Sequence, residues 1–507
     1  MRSAKKSSIL SYISVVFYVV VGFLYTPYLV RILGVSDYGI YSLCASLIGY
    51  FTIDFGISAA QTRLAAKYIA EGTPDKIGNM LGITTRIFLT IDVVILILST
   101  LVFFNVEILF HNLSTDEIDR FRNVFIVTTL FVVVNLPMLP IKGLFQAFDR
   151  VYELTLIDLC YKITNVAVIV GALYFGLGLY GVVFANVGSN IIAQICRLYF
   201  IMRQERIKIN IKARDREVVK FITSFSLWAT LAMVADKFFF GFIPFLLAVF
   251  SNTKEVAIFA IVISIEGYVL TISKSLNGIF LPRIMKMVVN NESSDDKTKL
   301  MIKVGRIQLY IIGLLVVGLI CMGKEFIELW LGPGFTKSYY CVVLVMSPCI
   351  FHLTQTIAEE MLLATNKVKY RAYAYVIGST ISVSLIALLA PRFGALAAAI
   401  GVCASFVVAH NIVIDCFYHK HTGINMVRFI NECHVKILPI LIICLGIGFV
   451  IQYLFPADSF PLFILKALIW GALSSGILYA LAFNQEERAM VNQVLRIKSK
   501  NIIQENL

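Results

Sequence analysis

An all-α polytopic membrane protein of about 14 transmembrane helices is the fold class this sequence predicts, and three observations predict it. Of 507 residues, 59% are hydrophobic and 15% charged, against roughly 25% charged in ordinary soluble domains. One core cannot hold that much apolar surface, so lipid must serve as solvent. Apolar runs long enough to cross a bilayer, about 20 residues each, recur along the whole chain. Finally, the chain matches itself when slid by 217 or 218 residues. Ala147-Phe-Asp149-Arg150-Val151 falls on Ala364-Thr-Asn366-Lys367-Val368, Ile40-Tyr41 on Ile258-Phe259, Ser46 on Ser264 and Gly49-Tyr50 on Gly267-Tyr268. An apolar repeat of that period is a duplicated block of membrane helices, and transporters are built this way, with the substrate path between the blocks.

Read in order, the expected spans are 9–30, 38–60, 80–104, 123–141, 154–175 and 178–201 in the first block. The second block holds 221–249, 256–281, 304–323, 339–363, 371–390 and 393–415, and 435–455 and 460–482 lie beyond the repeat. This gives two pseudo-symmetric six-helix lobes: an N-lobe over 1–201 and a C-lobe over 221–415, joined by a basic linker, 202–220. A loop (416–434), two extra helices (435–482) and a tail (483–507) follow. The first span follows Arg2, Lys5 and Lys6 as a signal peptide would, but its length and the lack of a small-x-small cleavage site mark it as retained. Gly176-Leu-Gly178 and Pro391-Arg-Phe-Gly394 split two closely spaced pairs into separate helices. Pro27, Pro137, Pro244 and Pro348 fall in spans 1, 4, 7 and 10, equivalent places in the two blocks, where bends are expected.

The net charge of +13 is distributed by side of the membrane. With the N-terminus inside, the inner connections hold about 30 Lys and Arg and the outer ones fewer than about ten, which is the positive-inside bias. The linker alone carries Arg203, Arg206, Lys208, Lys212, Arg214, Arg216 and Lys220, while the outer segment 105–122 is net acidic. Both termini are therefore expected in the cytoplasm, and the basic balance does not imply a nucleic-acid partner. Ten cysteines are scattered singly without ligand spacing, so neither a disulfide framework nor a metal site is expected. His419-Lys-His421 reads as a solvated cluster. No phosphate-cradling G-x-x-x-x-G-K-[ST], H-E-x-x-H or G-x-S-x-G pattern is present. No cofactor is expected, and no hydrolysis of ATP by the chain itself.

Ionisable groups within spans are costly unless paired or hydrated, and each is a functional-site hypothesis. In the first block these are Asp54, Arg86, Asp92, Asp158 and Lys162; Asp158 and Lys162 stand four apart and are placed to pair with each other. In the second they are Asp236, Lys237, Glu266, Lys274, Glu359 and Glu360. Arg63, Arg283 and Lys466 lie near span ends and read as interfacial anchors. Such a set implies a wet central cavity with cations for an anionic substrate and carboxylates able to carry H⁺ or Na⁺.

The opening of the chain is more specific. Pro27-Tyr-Leu-Val-Arg31-Ile-Leu33-Gly34-Val-Ser-Asp37-Tyr38-Gly39-Ile-Tyr41, followed by Asp54-Phe-Gly56 and Gln61-Thr-Arg63, resembles the start of Wzx-type polysaccharide flippases. These belong to the multidrug/oligosaccharidyl-lipid/polysaccharide (MOP) exporter superfamily. Asp236-Lys237 before Ala257-Ile-Phe259-Ala260, Leu329-Trp330-Leu331-Gly332, and Leu362-Leu-Ala364-Thr-Asn366-Lys367 resemble later parts of the same pattern, in order. The resemblance implies a flippase carrying an undecaprenyl-pyrophosphate-linked oligosaccharide across the bacterial inner membrane by alternating access, driven by an H⁺ or Na⁺ gradient. It implies a substrate-binding role for Arg31, on the motif, and for Lys237. Arg86, Lys162 and Lys274 join them from membrane depth as candidates for the pyrophosphate. Asp54, Asp92, Asp158, Asp236, Glu266 and Glu359 are the candidates for ion coupling. A polysaccharide polymerase and other assembly proteins are the implied partners. Spans 13 and 14 lie outside the repeat, a feature of the lipid II flippase branch, where such helices contact the lipid tail. That branch is one alternative, a multidrug antiporter of the same superfamily another, and a membrane-embedded sugar polymerase or ligase a third. The third lacks the large outer loop such enzymes need, and the second would need a mostly acidic, aromatic cavity.

Overall fold

The structure, a computed structural model, describes residues 2–223, 234, 237, 240–365 and 367–494. Among them the regular structure is helical throughout, and twelve helices are long and apolar enough to cross a membrane. The first and second expected spans are two helices joined within α1 (Arg2–Phe51) across Gly34, where the backbone leaves the helical region with φ 75° and ψ 171°, a conformation that glycine reaches without steric strain. About half of the seventh, 221–249, falls outside the described residues.

The first block continues with α2 (Ile57–Ala70), α3 (Asp75–Phe104), α4 (Thr115–Asn135), α5 (Ile141–Ala147), α6 (Val151–Tyr174) and α7 (Gly178–Glu205). The second comprises α8 (Ile243–Phe250), α9 (Thr253–Val289), α10 (Ser294–Leu331), α11 (Thr336–Leu353), α12 (Thr356–Ala364), α13 (Val368–Phe393) and α14 (Ala395–Ser405). A π-helical stretch, Phe406–Val413, carries α14 into α15 (Ile414–His421). Beyond the repeat lie α16 (Met426–Phe429), a second π-helical stretch, α17 (Lys436–Leu454), α18 (Phe460–Leu481) and α19 (Gln485–Val494).

Local sequence explains where these helices start. Ser114 and Glu117 form a capping box at α4, Asn252 caps α9 through the Glu255 amide, and Ser293 caps α10 through the Asp296 amide. Each satisfies amides that a helix N-terminus leaves open.

The duplication is visible in the backbone. The interruption at Gly34 recurs 218 residues on at Asn252, the N-cap of α9. The 3₁₀ turn starting at Leu136 recurs at Thr354, the residue closing α11. Gly176 (φ 74°), which separates α6 from α7, recurs as Gly394 (φ 57°), which separates α13 from α14. The expected bends at proline are only partly realised. Pro137 lies in the turn between α4 and α5, and Pro244 stands in the first turn of α8. Pro27 and Pro348 sit inside continuous helices, and the second-block break comes six residues after Pro348. Expected span 2 (38–60) likewise stops at Phe51 and resumes as α2.

The blocks meet along α1 and α9. At Gly39 the backbone passes so close to the Thr253 carbonyl that a Cβ would collide with it. Nearby, Glu117 accepts hydrogen bonds from Ser36 Oγ (2.6 Å) and Thr253 Oγ1 (2.5 Å). Trp330 Nε1 donates to the Phe23 carbonyl at 2.8 Å, and the two rings stack at 5.0 Å. One end of the contact is thereby sealed by residues from both blocks.

Candidate functional site

Beneath that seal lies a cavity of about 430 Å³. Ser42 to Tyr50 of α1, Lys237, Ile263 to Lys274 of α9, the α11–α12 junction, and Arg371 and Tyr375 of α13 line it, with Phe406 and His410 of the π-helical stretch. The junction is a helix broken at membrane depth. Its freed backbone groups must be satisfied by protein, because lipid offers no partner. Ser273 Oγ donates to the Leu353 carbonyl at 3.1 Å, Gln308 Nε2 donates to Thr356 Oγ1 at 2.8 Å, and Thr354 Oγ1 meets His434 Nε2 at 3.0 Å. Thus secured, the break starts α12 with Glu359 facing the cavity.

The cavity's charges are arranged as one tight pair plus further cations. Arg371 and Glu359 form an ion pair at 2.6 Å, and the same guanidinium donates to Tyr375 OH at 3.0 Å while lying 4.9 Å from its ring. Lys237 and Lys274 are both exposed side chains bordering the space, whereas Glu266 is only 9% exposed. Exposed lysines beside an arginine held by its own carboxylate suit an anionic group that arrives and leaves.

Of the expected site residues, Lys237, Lys274, Glu266 and Glu359 come together here. Arg371, His352 and His410 were not foreseen: Arg371 opens an expected span and passes for an interfacial anchor. The histidines interrupt apolar runs and could have been found by the rule applied to charges. Asp236 lies outside the described residues.

The other expected residues sit elsewhere. Arg31 is exposed and reaches the Leu329 and Trp330 carbonyls at 3.4 Å, at the sealed end. Asp54 accepts from the Gly56 amide at 3.1 Å and so shapes the turn into α2. Arg86 donates to the Ala213 carbonyl of the linker. Asp92 is 2% exposed, and neither carboxyl oxygen has a hydrogen-bond partner. The expected Asp158–Lys162 pair does not form. Asp158 instead binds Arg197 at 2.5 Å and Lys142 at 3.5 Å. Lys162 approaches Ser14 Oγ (3.4 Å) and the Tyr18 ring (5.1 Å). Arginine presents a forked donor to the carboxylate and outcompetes the point charge one turn away. Lys466, read as an anchor, is buried and paired with Glu325.

A second space of about 770 Å³ runs along α10 and α18, beside the cavity. Its walls are almost purely apolar, with Ile311, Leu315, Met322 and Phe326 facing Phe463 and Trp470.

The family model described as "Polysaccharide biosynthesis protein" matches residues 4–288, more than half of the chain. No curated protein sequence matches the chain. Among solved structures, the lipid II flippase MurJ in an inward closed conformation is similar with a TM-score of 0.69 at 14% identity, over 93% of this chain and 99% of that one. An inward-facing multidrug resistance MATE family transporter of the MOP superfamily is similar with a TM-score of 0.63 at 12% identity, over 82% and 98%. The eukaryotic MATE transporter AtDTX14 is similar with a TM-score of 0.58 at 15% identity, over 84% and 98%. At these identities the likeness is one of fold: a multi-pass helical transporter architecture.

Proposed function

Because the chain belongs to the polysaccharide biosynthesis protein family, we propose that it is a flippase for an undecaprenyl-pyrophosphate-linked oligosaccharide. The carrying observation is the pairing of two unlike spaces: a cavity with Lys237, Lys274 and Arg371 on its wall, and an apolar groove beside it. A pyrophosphate needs cations, and a prenyl chain needs a surface it can cross on without meeting water. In this reading the headgroup enters the cavity while the chain stays in lipid or in the groove. The lobes then rock about the α1–α9 contact, opening the sealed end. Glu266 and Glu359 are the carboxylates best placed to couple the step to H⁺ or Na⁺. The chain acts as a transporter and not as an enzyme. It lies in the bacterial inner membrane with both termini cytoplasmic, beside a polymerase and other assembly proteins.

A second reading has one observation in its favour. The likeness to the lipid II flippase extends over 93% of the chain, against 82% for the MATE transporter, so a peptidoglycan precursor is the alternative cargo. One experiment separates these. In cells depleted of the protein, lipid-linked intermediates and surface glycan are quantified together. Oligosaccharide repeat units accumulating on undecaprenyl pyrophosphate, with loss of surface polysaccharide, is the expected outcome. Accumulating lipid II would support the alternative, and unchanged levels of both would end the flippase reading.

A further inference from the structure

The first block contains a polar site that the central cavity does not use. On α7, Asn186, Asn190, Gln194 and Arg197 recur at spacings of four, four and three, which places them on one face. On α6, Asp158, Tyr161, Lys162 and Asn165 do the same. The two faces oppose each other as α6 and α7 pack side by side. Two cavities of about 180 and 190 Å³ lie along the seam. Tyr161 and Asn190 line both, and Ala45 lines both the first of these and the central cavity. The three spaces therefore adjoin in a row from the second block into the first.

Amides between membrane helices often serve only to hold them together, and then their hydrogen bonds are closed on each other. Part of this seam is closed in that way. Asn165 donates to Asn186 at 3.0 Å, Asn186 donates to Tyr41 OH at 3.1 Å, and Gln194 donates to Asn135 at 2.7 Å. Asn190 is different. Its amide nitrogen donates to Tyr161 OH at 3.3 Å, its buried carbonyl oxygen has no hydrogen-bond partner, and the residue lines both cavities. The Asn165 carbonyl oxygen is likewise without one. A buried acceptor without a donor costs about 1–3 kcal/mol, and a polar ligand or water would relieve that cost. The first cavity, the one that adjoins the central space, offers neutral chemistry: Tyr41, Thr128, Tyr161, Asn186 and Asn190. The second is charged, with Asp158 facing Lys142, Lys162 and Arg197, and Arg197 and Lys142 are bound to that carboxylate. Neutral donors and acceptors in close array in the first cavity match the hydroxyls of a sugar ring, not a phosphate.

We propose that the first of these cavities, the uncharged one at the α6–α7 seam, is a carbohydrate subsite, which takes the sugar residues while the pyrophosphate occupies the central cavity next to it, bordered by Lys237 and Lys274. The inference rests on the lipid-linked oligosaccharide reading and adds a division of the headgroup between the two blocks. The test uses the purified full chain in lipid nanodiscs and two probes: undecaprenyl pyrophosphate carrying one N-acetylhexosamine, and undecaprenyl pyrophosphate without sugar. Asn190→Ala is expected to raise Kd for the sugar-bearing probe about tenfold, and the gentler Tyr161→Phe about threefold. Both should leave Kd for the sugar-free probe within about twofold, a margin narrower than the loss of one hydrogen bond. Equal losses for the two probes, or no change with either, would overturn the subsite while leaving the flippase reading standing. Failure of the wild-type chain to bind either probe would overturn that reading and the subsite with it.

Discussion

The two helix breaks, one in each block, share a backbone and differ in almost every side chain that matters. Around the turn between α4 and α5 stand Asn135, Lys142, Asp158 and Gln194. Displaced by 217 residues, the corresponding positions are His352, Glu359, Tyr375 and Asn411. Lysine has become glutamate, and its counter-charge has moved to Arg371 on α13. The duplicated backbone supplies a break at membrane depth twice over, because a broken helix exposes groups that can only be satisfied from within the protein. What each break does depends on the few residues facing it. The first block binds Lys142 and Arg197 to Asp158 among amides, and the second leaves Lys237 and Lys274 beside the Arg371–Glu359 pair.

The strongest way to break this contrast is to give one block the other's residue. Glu359→Lys sets a lysine beside Arg371 where an ion pair of 2.6 Å stood. Removing one partner of a fully buried pair costs about 3–5 kcal/mol; with Arg371 30% and Glu359 19% exposed, the like charge should cost less, about 2 kcal/mol. Thermal unfolding in detergent is the measurement, with Glu359→Lys/Arg371→Glu expected to recover most of the loss. Lys142→Glu, the mirror change at a side chain 46% exposed, should cost only about 1 kcal/mol because solvent screens it. Equal losses at the two sites would remove the distinction.

A second change addresses the cations alone. Lys237→Ala/Lys274→Ala should lower glycan export about a hundredfold, some 2.7 kcal/mol, since two charge-assisted contacts are lost. Folding should be little affected, because both side chains are exposed. Lys162→Ala should lower export less than tenfold, because Lys162 lines neither the central cavity nor the uncharged cavity next to it. A larger effect at Lys162 than at the lysine pair would reverse the assignment of pyrophosphate to the second block.

The helices beyond the repeat provide a region with no counterpart to compare. There, Glu487 of α19 accepts from Arg306 at 2.7 and 3.0 Å and from Tyr310 OH at 2.9 Å. Burial works to raise its carboxyl, but these bonds and the Asn484 amide outweigh it and hold the group below the ordinary carboxylate range. A depressed folded value means that the pair stabilises the fold above the unfolded carboxylate pKa, about 4.3. That stability is lost as pH falls through the folded value. Stability should therefore fall as the pH drops below about 4.3 in the wild type. Glu487→Gln should be less stable at neutral pH and should lack that part of the acid dependence. An identical acid profile in both would place the titration elsewhere.

Much of this architecture was legible beforehand, and what was not has physical reasons. Apolar runs and the 217-residue offset revealed the spans and the duplication, since both follow from the length of helix a bilayer demands. The break at Leu136 was marked by Pro137, but the one at Thr354 was not: Pro348, like Pro27, is carried inside a helix, because neighbouring groups can satisfy what a missing amide leaves open. Membrane depth found Lys237, Lys274, Glu266 and Glu359 without showing that they share one wall. It also selected Arg86 and Asp54, and the opening motif selected Arg31, all of which serve turns and contacts elsewhere. Uncharged groups escaped that filter altogether: the amide face of α7 was readable as a four-residue period, but asparagine in an apolar helix raises no electrostatic alarm.

The finest comparison is between two glycines that do the same backbone work. Gly176 and Gly394 both hold positive φ at the turn between paired helices, 74° and 57°. Alanine in either place meets the strain of a left-handed conformation, about 1 kcal/mol. At Gly176 an added Cβ meets nothing within 4 Å, so the cost should stop there. At Gly394 it would run into the Glu255 carboxylate, which is fixed from two directions. Lys337 Nζ holds it at 2.8 and 2.9 Å, and the Ala395 amide donates to it at 2.6 Å, where an anion suits the N-terminus of α14. The carboxylate cannot move without giving up one of these, so Gly394→Ala should cost about 2 kcal/mol, roughly one hydrogen bond more than its counterpart. Thermal unfolding of the two alanine variants measures the difference directly. Equal shifts would mean that Glu255 yields freely, and that the two halves of the repeat are alike at this turn in packing as well as in backbone.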